Sequence, residues 1–156
     1  VLTVTRPGQW LDPGPLGCLG VGAPFAIAAQ HLYPQRRVLI LSGDGSFGLN
    51  GFEFDTAVRF GLPIVAIVGN DAGWGQIRGP QVQMVGAERA IATSLAATRY
   101  DRVVEALGGY GELVNMPEEI APALERAFAS GKPACINVML DPGGMGKTGA
   151  SSPYIV

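Results

Sequence analysis

Two short polar clusters end apolar runs in this chain, and their residue types suit one chemistry. Asp44 stands between Gly43 and Gly45, with Ser46 next, after the apolar run Val38 to Leu41. Asn70 and Asp71 follow a second apolar run, Ile64 to Val68, and lead into Ala72 and Gly73. The first cluster offers a carboxylate, the second an amide and another carboxylate. All are oxygen donors, and the glycines beside them leave backbone N–H groups accessible. Oxygen ligands next to free N–H groups suit a hard divalent cation that holds a phosphate.

For the clusters to meet, the two apolar runs must be parallel neighbours. Four consecutive apolar residues in Val38 to Leu41 predict a strand buried on both faces, as in a parallel sheet. Between the runs a helix is expected from about Leu49 to Phe60, with Asn50 or a neighbour as its cap. Phe52, Ala57 and Phe60 recur at helical spacing and are expected to face the sheet, with Glu53, Asp55 and Arg59 on a more polar face. Gly61-Leu62-Pro63 ends that helix. Strand, glycine turn, helix, strand, polar turn puts both clusters at the C-terminal edge of a sheet, where open α/β sheets bind ligands.

The remaining segments continue the alternation. Val1 to Thr5 predicts a short strand and Arg6 to Pro15 a loop. A glycine-rich approach, Gly17 to Gly22, leads into an alanine-rich helix that stops before Pro34. His31, late in that helix, suits a solvent-facing or C-terminal dipole position. Beyond Asn70 the chain is glycine-rich to Gly79-Pro80. The segment from Gln81 to Thr98 has weak periodicity, expected of a mobile segment or an irregular helix. Tyr100 to Leu107 predicts a helix started by Asp101, Tyr110 to Val114 a strand, and Pro117 to Ser130 a helix with Ile120, Leu124, Ala127 and Phe128 as its apolar stripe. Ala134 to Leu140 closes the sheet, and Asp141 to Val156 is a Gly/Ser tail with Lys147 and Tyr154. The fold class is α/β, a three-layer sandwich around a mostly parallel sheet.

Composition narrows the function classes. The chain has 156 residues, 47% hydrophobic and 15% charged, with a formal net charge of −2, which suits one well-buried domain rather than disorder. There is no basic excess for nucleic acid, and the longest apolar runs fall short of the ~20 residues of a membrane span. Cys18 and Cys135 fit no metal or disulfide spacing and are expected to be buried free thiols in a reducing cytoplasm.

The ordered motifs resemble one family. Gly43-Asp44-Gly45-Ser46, followed after about two dozen residues by Asn70-Asp71, resembles the thiamine diphosphate (ThDP) signature, a GDG turn and then Asn-Asn or a variant. Gly17-Cys18-Leu19-Gly20-Val21-Gly22-Ala23-Pro24 resembles the family's GTMGxGLP segment. Thr56-Ala57-Val58-Arg59-Phe60 before Leu62-Pro63 resembles the TAVRYxLP of acetolactate synthases. Residues 1–140 are thus similar to the pyrophosphate-binding (PP) domain of the acetolactate synthase-like group, with 141–156 a C-terminal tail or lid. The family's PP domain begins earlier than Val1, so the resemblance implies a fragment, a separate piece or a subunit of a larger protein.

What the resemblance implies for the site is specific. Asp44 matches the metal-ligating aspartate, Asp71 the second Asn of the family pair, and Gly73 a ligating backbone carbonyl, together holding Mg2+ against the diphosphate. Gly43 shapes the turn, and the Gly45 and Ser46 N–H groups match phosphate donors. The Gly17 carbonyl and the Leu19 N–H match contacts to the pyrimidine, with Cys18 between them. Leu19 matches the bulky residue that props the cofactor in its bent form, although an ordinary core leucine is the alternative. Trp74, Gly75 and Gln76 follow the metal turn as further cofactor contacts or, for Trp74, plain packing. The departure is Asp71 in place of Asn, an extra anion that tightens the metal and repels the diphosphate.

The glutamate that activates the cofactor in this family comes from a separate pyrimidine-binding (PYR) domain, usually of a neighbouring subunit. Nothing here resembles that domain, and Glu53 lies on the PP side. A homodimer or homotetramer is implied, and no catalytic residue is expected in this chain beyond the supporting Leu19. The first expectation is an acetolactate synthase-like carboligase acting on a small 2-oxo acid. The second is a 2-hydroxyacyl-CoA lyase or oxalyl-CoA decarboxylase. Phe47-Gly48-Leu49-Asn50-Gly51-Phe52-Glu53 resembles the FGFSGxE of acyl-CoA enzymes more than the FQMNxQE of true synthases, and the segment from Trp74 to Gln81 lacks their MVRQWQ. A third, from another class, is a non-catalytic subunit that kept the fold. A dinucleotide-binding domain would want GxGxxG directly after its first strand, and Gly17 to Gly22 follows a proline loop instead.

Overall fold

The computed structural model describes residues 3–142. Four strands, β1 (Leu39–Gly43), β2 (Val65–Asn70), β3 (Tyr110–Val114) and β4 (Ala134–Met139), form one sheet in the order β1-β2-β4-β3. Every pairing is parallel, with Leu39 opposite Val65 and Gly43 opposite Gly69 in the first pair. The helices are α1 (Gly22–Leu32), α2 (Asp44–Asn50), α3 (Glu53–Arg59), α4 (Gly75–Val85), α5 (Tyr100–Ala106) and α6 (Ile120–Ala129). No helix among the described residues is long and apolar enough to cross a membrane.

The handedness of parallel crossovers explains the layers. The chain steps from β1 to β2 and on to β3 in one direction, then back to β4. Right-handed connections place helices of the outward steps on one face and the helix of the return on the other. Accordingly α1, α2, α3 and α5 bury Ala23, Ala26, Phe47, Phe54, Ala57 and Val104 against Ile40, Ala66, Val68 and Cys135. Across the sheet α6 buries Ala123 and Ala127 against Val65, Ile136 and Val138. Strand β2 feeds both cores by alternation, Val65 and Ile67 to one side, Ala66 and Val68 to the other. Phe54 is fully buried, which contributes roughly 1.5–3 kcal/mol.

Several local expectations fail for physical reasons. β1 is an edge strand, and α6 packs on β4 and β3 and reaches only β2. Leu39 and Leu41 are therefore exposed rather than buried on both faces. The single helix expected from Leu49 to Phe60 is two helices, broken where Phe47 folds back over Gly51 and its ring leaves no room for a Cβ there. The break rotates the stripe: Phe54 and Ala57 face the sheet, while Phe52 and Phe60 are exposed. Asn50 ends α2 instead of capping a helix. The glycine-rich stretch after Asn70 is largely α4, which contains Pro80, buries no residue fully and runs into the segment expected to be mobile or irregularly helical. Thr3 to Thr5 form no strand. Cys18 is exposed in the loop before α1, whereas burial pushes the Cys135 thiol far up and leaves it inert. His31 is exposed in the last turn of α1, as expected. The tail with Lys147 and Tyr154 lies outside the described residues.

Candidate functional site

The two polar clusters meet at the C-terminal edge of β1 and β2, and Asp44 joins them. No loop separates strand from helix here: Gly43 ends β1 and Asp44 opens α2. Asp44 is 1% exposed. Its Oδ1 accepts the Gly45 N–H at 2.9 Å, and its Oδ2 accepts the Gly73 N–H of the second turn at 3.1 Å. Burial pushes the Asp44 carboxyl above the usual carboxylate range. The Gly45 N–H pulls it back, the charge of Asp71 raises it further, and the Gly73 N–H lowers it. Among the described residues no lysine, arginine or histidine forms an ion pair with Asp44. A buried carboxylate facing a second carboxylate, without a counter-cation among the described residues, suits a hard divalent ion.

The second turn is held from several sides. The Asn70 Oδ1 accepts the Ala72 N–H at 3.1 Å, a side-chain turn that tolerates the positive φ of Ala72, 53°. The Trp74 N–H donates to the Thr93 carbonyl at 2.9 Å and the Leu95 N–H to the Ala72 carbonyl at 2.7 Å. Trp74 packs its ring on Gly45, where an added Cβ would stand 2.7 Å from the indole. Trp74 thus locks the second turn onto the first, and Gly45 is required for that approach. Gly75 backs onto the Asp71 carboxylate and opens α4, while Gln76 is exposed on its first turn.

The glycine segment before α1 is tied to the same edge through α2. Ser46 and Asn50, one turn apart, clamp the Gly20 peptide: Ser46 Oγ accepts the Gly20 N–H at 3.0 Å and Asn50 Nδ2 donates to the Gly20 carbonyl at 3.1 Å. Gly20 has φ +81°, and a Cβ there would press on Asn50 and Leu49 at 3.0 Å. Gly17, in the left-handed region, ends a single 3-10 turn. Leu19 is 45% exposed, so it is no part of the core of the described residues. Gly17, Cys18 and Leu19 are therefore open beside the first turn.

A cleft of about 500 Å³ adjoins Asp71 and Gly73 and runs between α4 and Thr93-Ser94, with Arg78 on its wall. Arg78 reaches Thr93 Oγ1 at 3.5 Å. Sequence reasoning missed Arg78, Thr93 and Thr98, because the segment carrying the two threonines has no periodicity. It also missed the role of Asp101, which starts no cap and is buried against Arg99 and Asn137. Asn137 had a signal, an amide in the middle of an apolar strand. Glu53 accepts the Thr56 hydroxyl at 2.9 Å within its own helix. Among the described residues no three His, Cys, Asp or Glu side chains converge, so a cation here would have two carboxylates and would complete its shell with backbone, water or phosphate.

The family described as thiamine pyrophosphate enzyme, C-terminal TPP binding domain, matches residues 1–138. An acetolactate synthase large subunit of Mycobacterium tuberculosis is 52% identical over 136 residues, 87% of this chain and 25% of that protein. A 2-hydroxyacyl-CoA lyase 2 of Caenorhabditis elegans is 50% identical over 109 residues, 70% of this chain and 17% of that protein. Among solved structures, the thiamine diphosphate-dependent 4-hydroxybenzoylformate decarboxylase of Rhodococcus jostii RHA1 superposes with a TM-score of 0.74 at 28% identity, over 81% of this chain and 24% of that one. The chain thus spans about a quarter or less of the relatives it matches. The turns that Asp44 bridges lie within the matched residues, and the chain belongs to the C-terminal thiamine pyrophosphate-binding domain family of thiamine pyrophosphate enzymes.

Proposed function

We propose that this chain is the ThDP- and Mg2+-binding part of an enzyme that makes or breaks a C–C bond next to a carbonyl, in the manner of the acetolactate synthase-like group. The observation that carries the reading is Asp44, buried, bridging both turns and facing Asp71 with no counter-cation among the described residues. Asp44, Asp71 and the Gly73 carbonyl hold the cation. The Gly45 N–H is engaged by Asp44 Oδ1, so the diphosphate relies more on the cation and on the Ser46 N–H, which has no acceptor inside the first turn of α2. Gly17, Cys18 and the exposed Leu19 meet the pyrimidine end, and Leu19 sets the bend. Trp74 acts by packing on Gly45, with Gly75 and Gln76 at the rim. When bound, the cofactor supplies a carbon nucleophile and an electron sink. The glutamate that activates it is supplied by a PYR domain outside this chain, so the isolated chain turns nothing over.

Asp71 adds a charge where the family pattern has an amide. Asp71→Asn is expected to keep cofactor binding and to raise the Mg2+ concentration needed for half-maximal ThDP binding. A metal titration identical to that of the unsubstituted protein would remove Asp71 from the ligand set.

A second reading, a 2-hydroxyacyl-CoA lyase, is favoured by the segment from Phe47 to Glu53 and by the lyase relatives. Assay of the assembled enzyme with pyruvate against a 2-hydroxyacyl-CoA separates the two. Turnover of pyruvate alone supports the carboligase, and formyl-CoA release supports the lyase.

A further inference from the structure

A series of buried amides connects the surface residue Arg99 to the second turn. Arg99 forks onto Asp101, with Nε 2.9 Å from Oδ1 and Nη2 2.6 Å from Oδ2. Asp101, 1% exposed, also accepts Asn137 Nδ2 on Oδ1 at 3.3 Å. Asn137 Oδ1 accepts Asn70 Nδ2 at 3.1 Å, and Asn70 Oδ1 accepts the Ala72 N–H. The Thr98 carbonyl takes Nδ2 of Asn70 at 2.8 Å and of Asn137 at 3.3 Å. Both amides are fully buried.

The series has a direction. Burial pushes the Asp101 carboxyl up, but the bonds from Arg99 and Asn137 outweigh it and hold the group below its ordinary value, so it is ionised and only accepts. Asn137 must then turn its NH2 toward Asp101, which leaves its oxygen for Asn70. Asn70 must in turn present its NH2 to that oxygen, which leaves its own oxygen for Ala72. We infer that Asp101 is a positioning residue: acting through Asn137, it fixes the orientation of the Asn70 amide and so holds the Asp71–Gly73 turn in its cation-binding shape. This role rests on the proposed cation site.

Asp101→Leu removes the acceptor. Arg99 is half-exposed and turns to solvent, while Asn137 Nδ2 is left with the Thr98 carbonyl alone, which it shares with Asn70. The Asn137 amide is then held from one side only, and the Asn70 to Ala72 bond loosens with it. Asp101→Asn is the conservative control, because an oxygen at the Oδ1 position still accepts both Arg99 Nε and Asn137 Nδ2.

The test is amide hydrogen exchange by NMR on the metal-free protein, with the Val68 N–H of the central strand as internal reference, followed by Mg2+ titration with ThDP present. Expected for Asp101→Leu is about ten-fold loss of Ala72 protection relative to Val68 and about ten-fold weaker Mg2+ binding, the usual scale for a lost outer partner of a metal site. Asp101→Asn stays near the original values in both. An unchanged Ala72 rate in folded Asp101→Leu overturns the inference, as does an unchanged Mg2+ affinity. Should Asp101→Leu not fold, Asn137→Val decides: lost Ala72 protection supports the relay, and retained protection overturns it. If the unsubstituted protein binds no Mg2+, the reading of the site fails, while the exchange measurement still decides the relay.

Discussion

Asp44→Asn is expected to abolish the stabilisation of the protein by Mg2+ with ThDP. The substitution keeps the shape of the side chain and one accepting oxygen but removes the buried charge that faces Asp71. A ligand at about a hundred times its dissociation constant stabilises the folded state by ~2.7 kcal/mol, and that whole increment is lost when binding is lost. Thermal melts with and without cofactor read it directly. The cation-free protein supplies a second signature. The folded-state pKa of Asp44 is raised, first by burial and then by Asp71, against the N–H groups of Gly45 and Gly73. Such a group contributes stability that is fully present below its unfolded pKa and is lost as pH rises through the folded value. Ionised Asp44 therefore opposes folding at neutral pH, and an asparagine does not titrate. Across an acid-to-neutral series in chelator, the stability difference should move in favour of Asp44→Asn as pH rises. A difference that stays flat would mean that the carboxyl is not held above its ordinary value.

Gly111→Ala is expected to destabilise the fold by about 3 kcal/mol, at the upper end for overpacking. Gly111 lies in β3 beneath the first turn of α5, and a Cβ there would stand 2.2 Å from the Asp101 backbone oxygen. The obstacle is main chain, so no rotamer change relieves it and α5 must lift from the sheet. Asp101 would move with it and disturb the bonds to Arg99 and Asn137. Urea unfolding should show a lower midpoint with an unchanged slope, the mark of altered stability rather than an altered unfolded state. A loss under ~0.5 kcal/mol, the range of an ordinary surface change, would show that α5 does not approach β3 as described.

The site was legible where side chains carry it. Glycine-flanked Asp44 and the Asn70-Asp71 pair each end a short apolar run, and parallel pairing of those runs brings them together as expected. The glycine approach to α1 was legible as well, because a positive φ at Gly20 leaves few alternatives. What the sequence hid is carried by main chain. Thr93 and Ala72 hold the second turn with their carbonyls, to Trp74 and Leu95, and any residue type can do that. The break between α2 and α3 depends on Phe47 lying over Gly51, a tertiary contact that a helical repeat does not foresee. Burial of β1 was misread because a run of four apolar residues looks the same at the edge of a sheet as at its centre. An aspartate at the head of a helical pattern signals only a helix start, and the partner of Asp101, Asn137, lies on a strand much later in the chain.

The turns of Asp44 and Asp71 are proposed to hold a cation against a diphosphate. Calorimetric titration of the protein with ThDP and with thiamine, each with Mg2+ and with chelator, tests it most directly. Binding of ThDP should depend on Mg2+, with no comparable binding of thiamine. Equal binding of thiamine, or binding of ThDP indifferent to the cation, would contradict it.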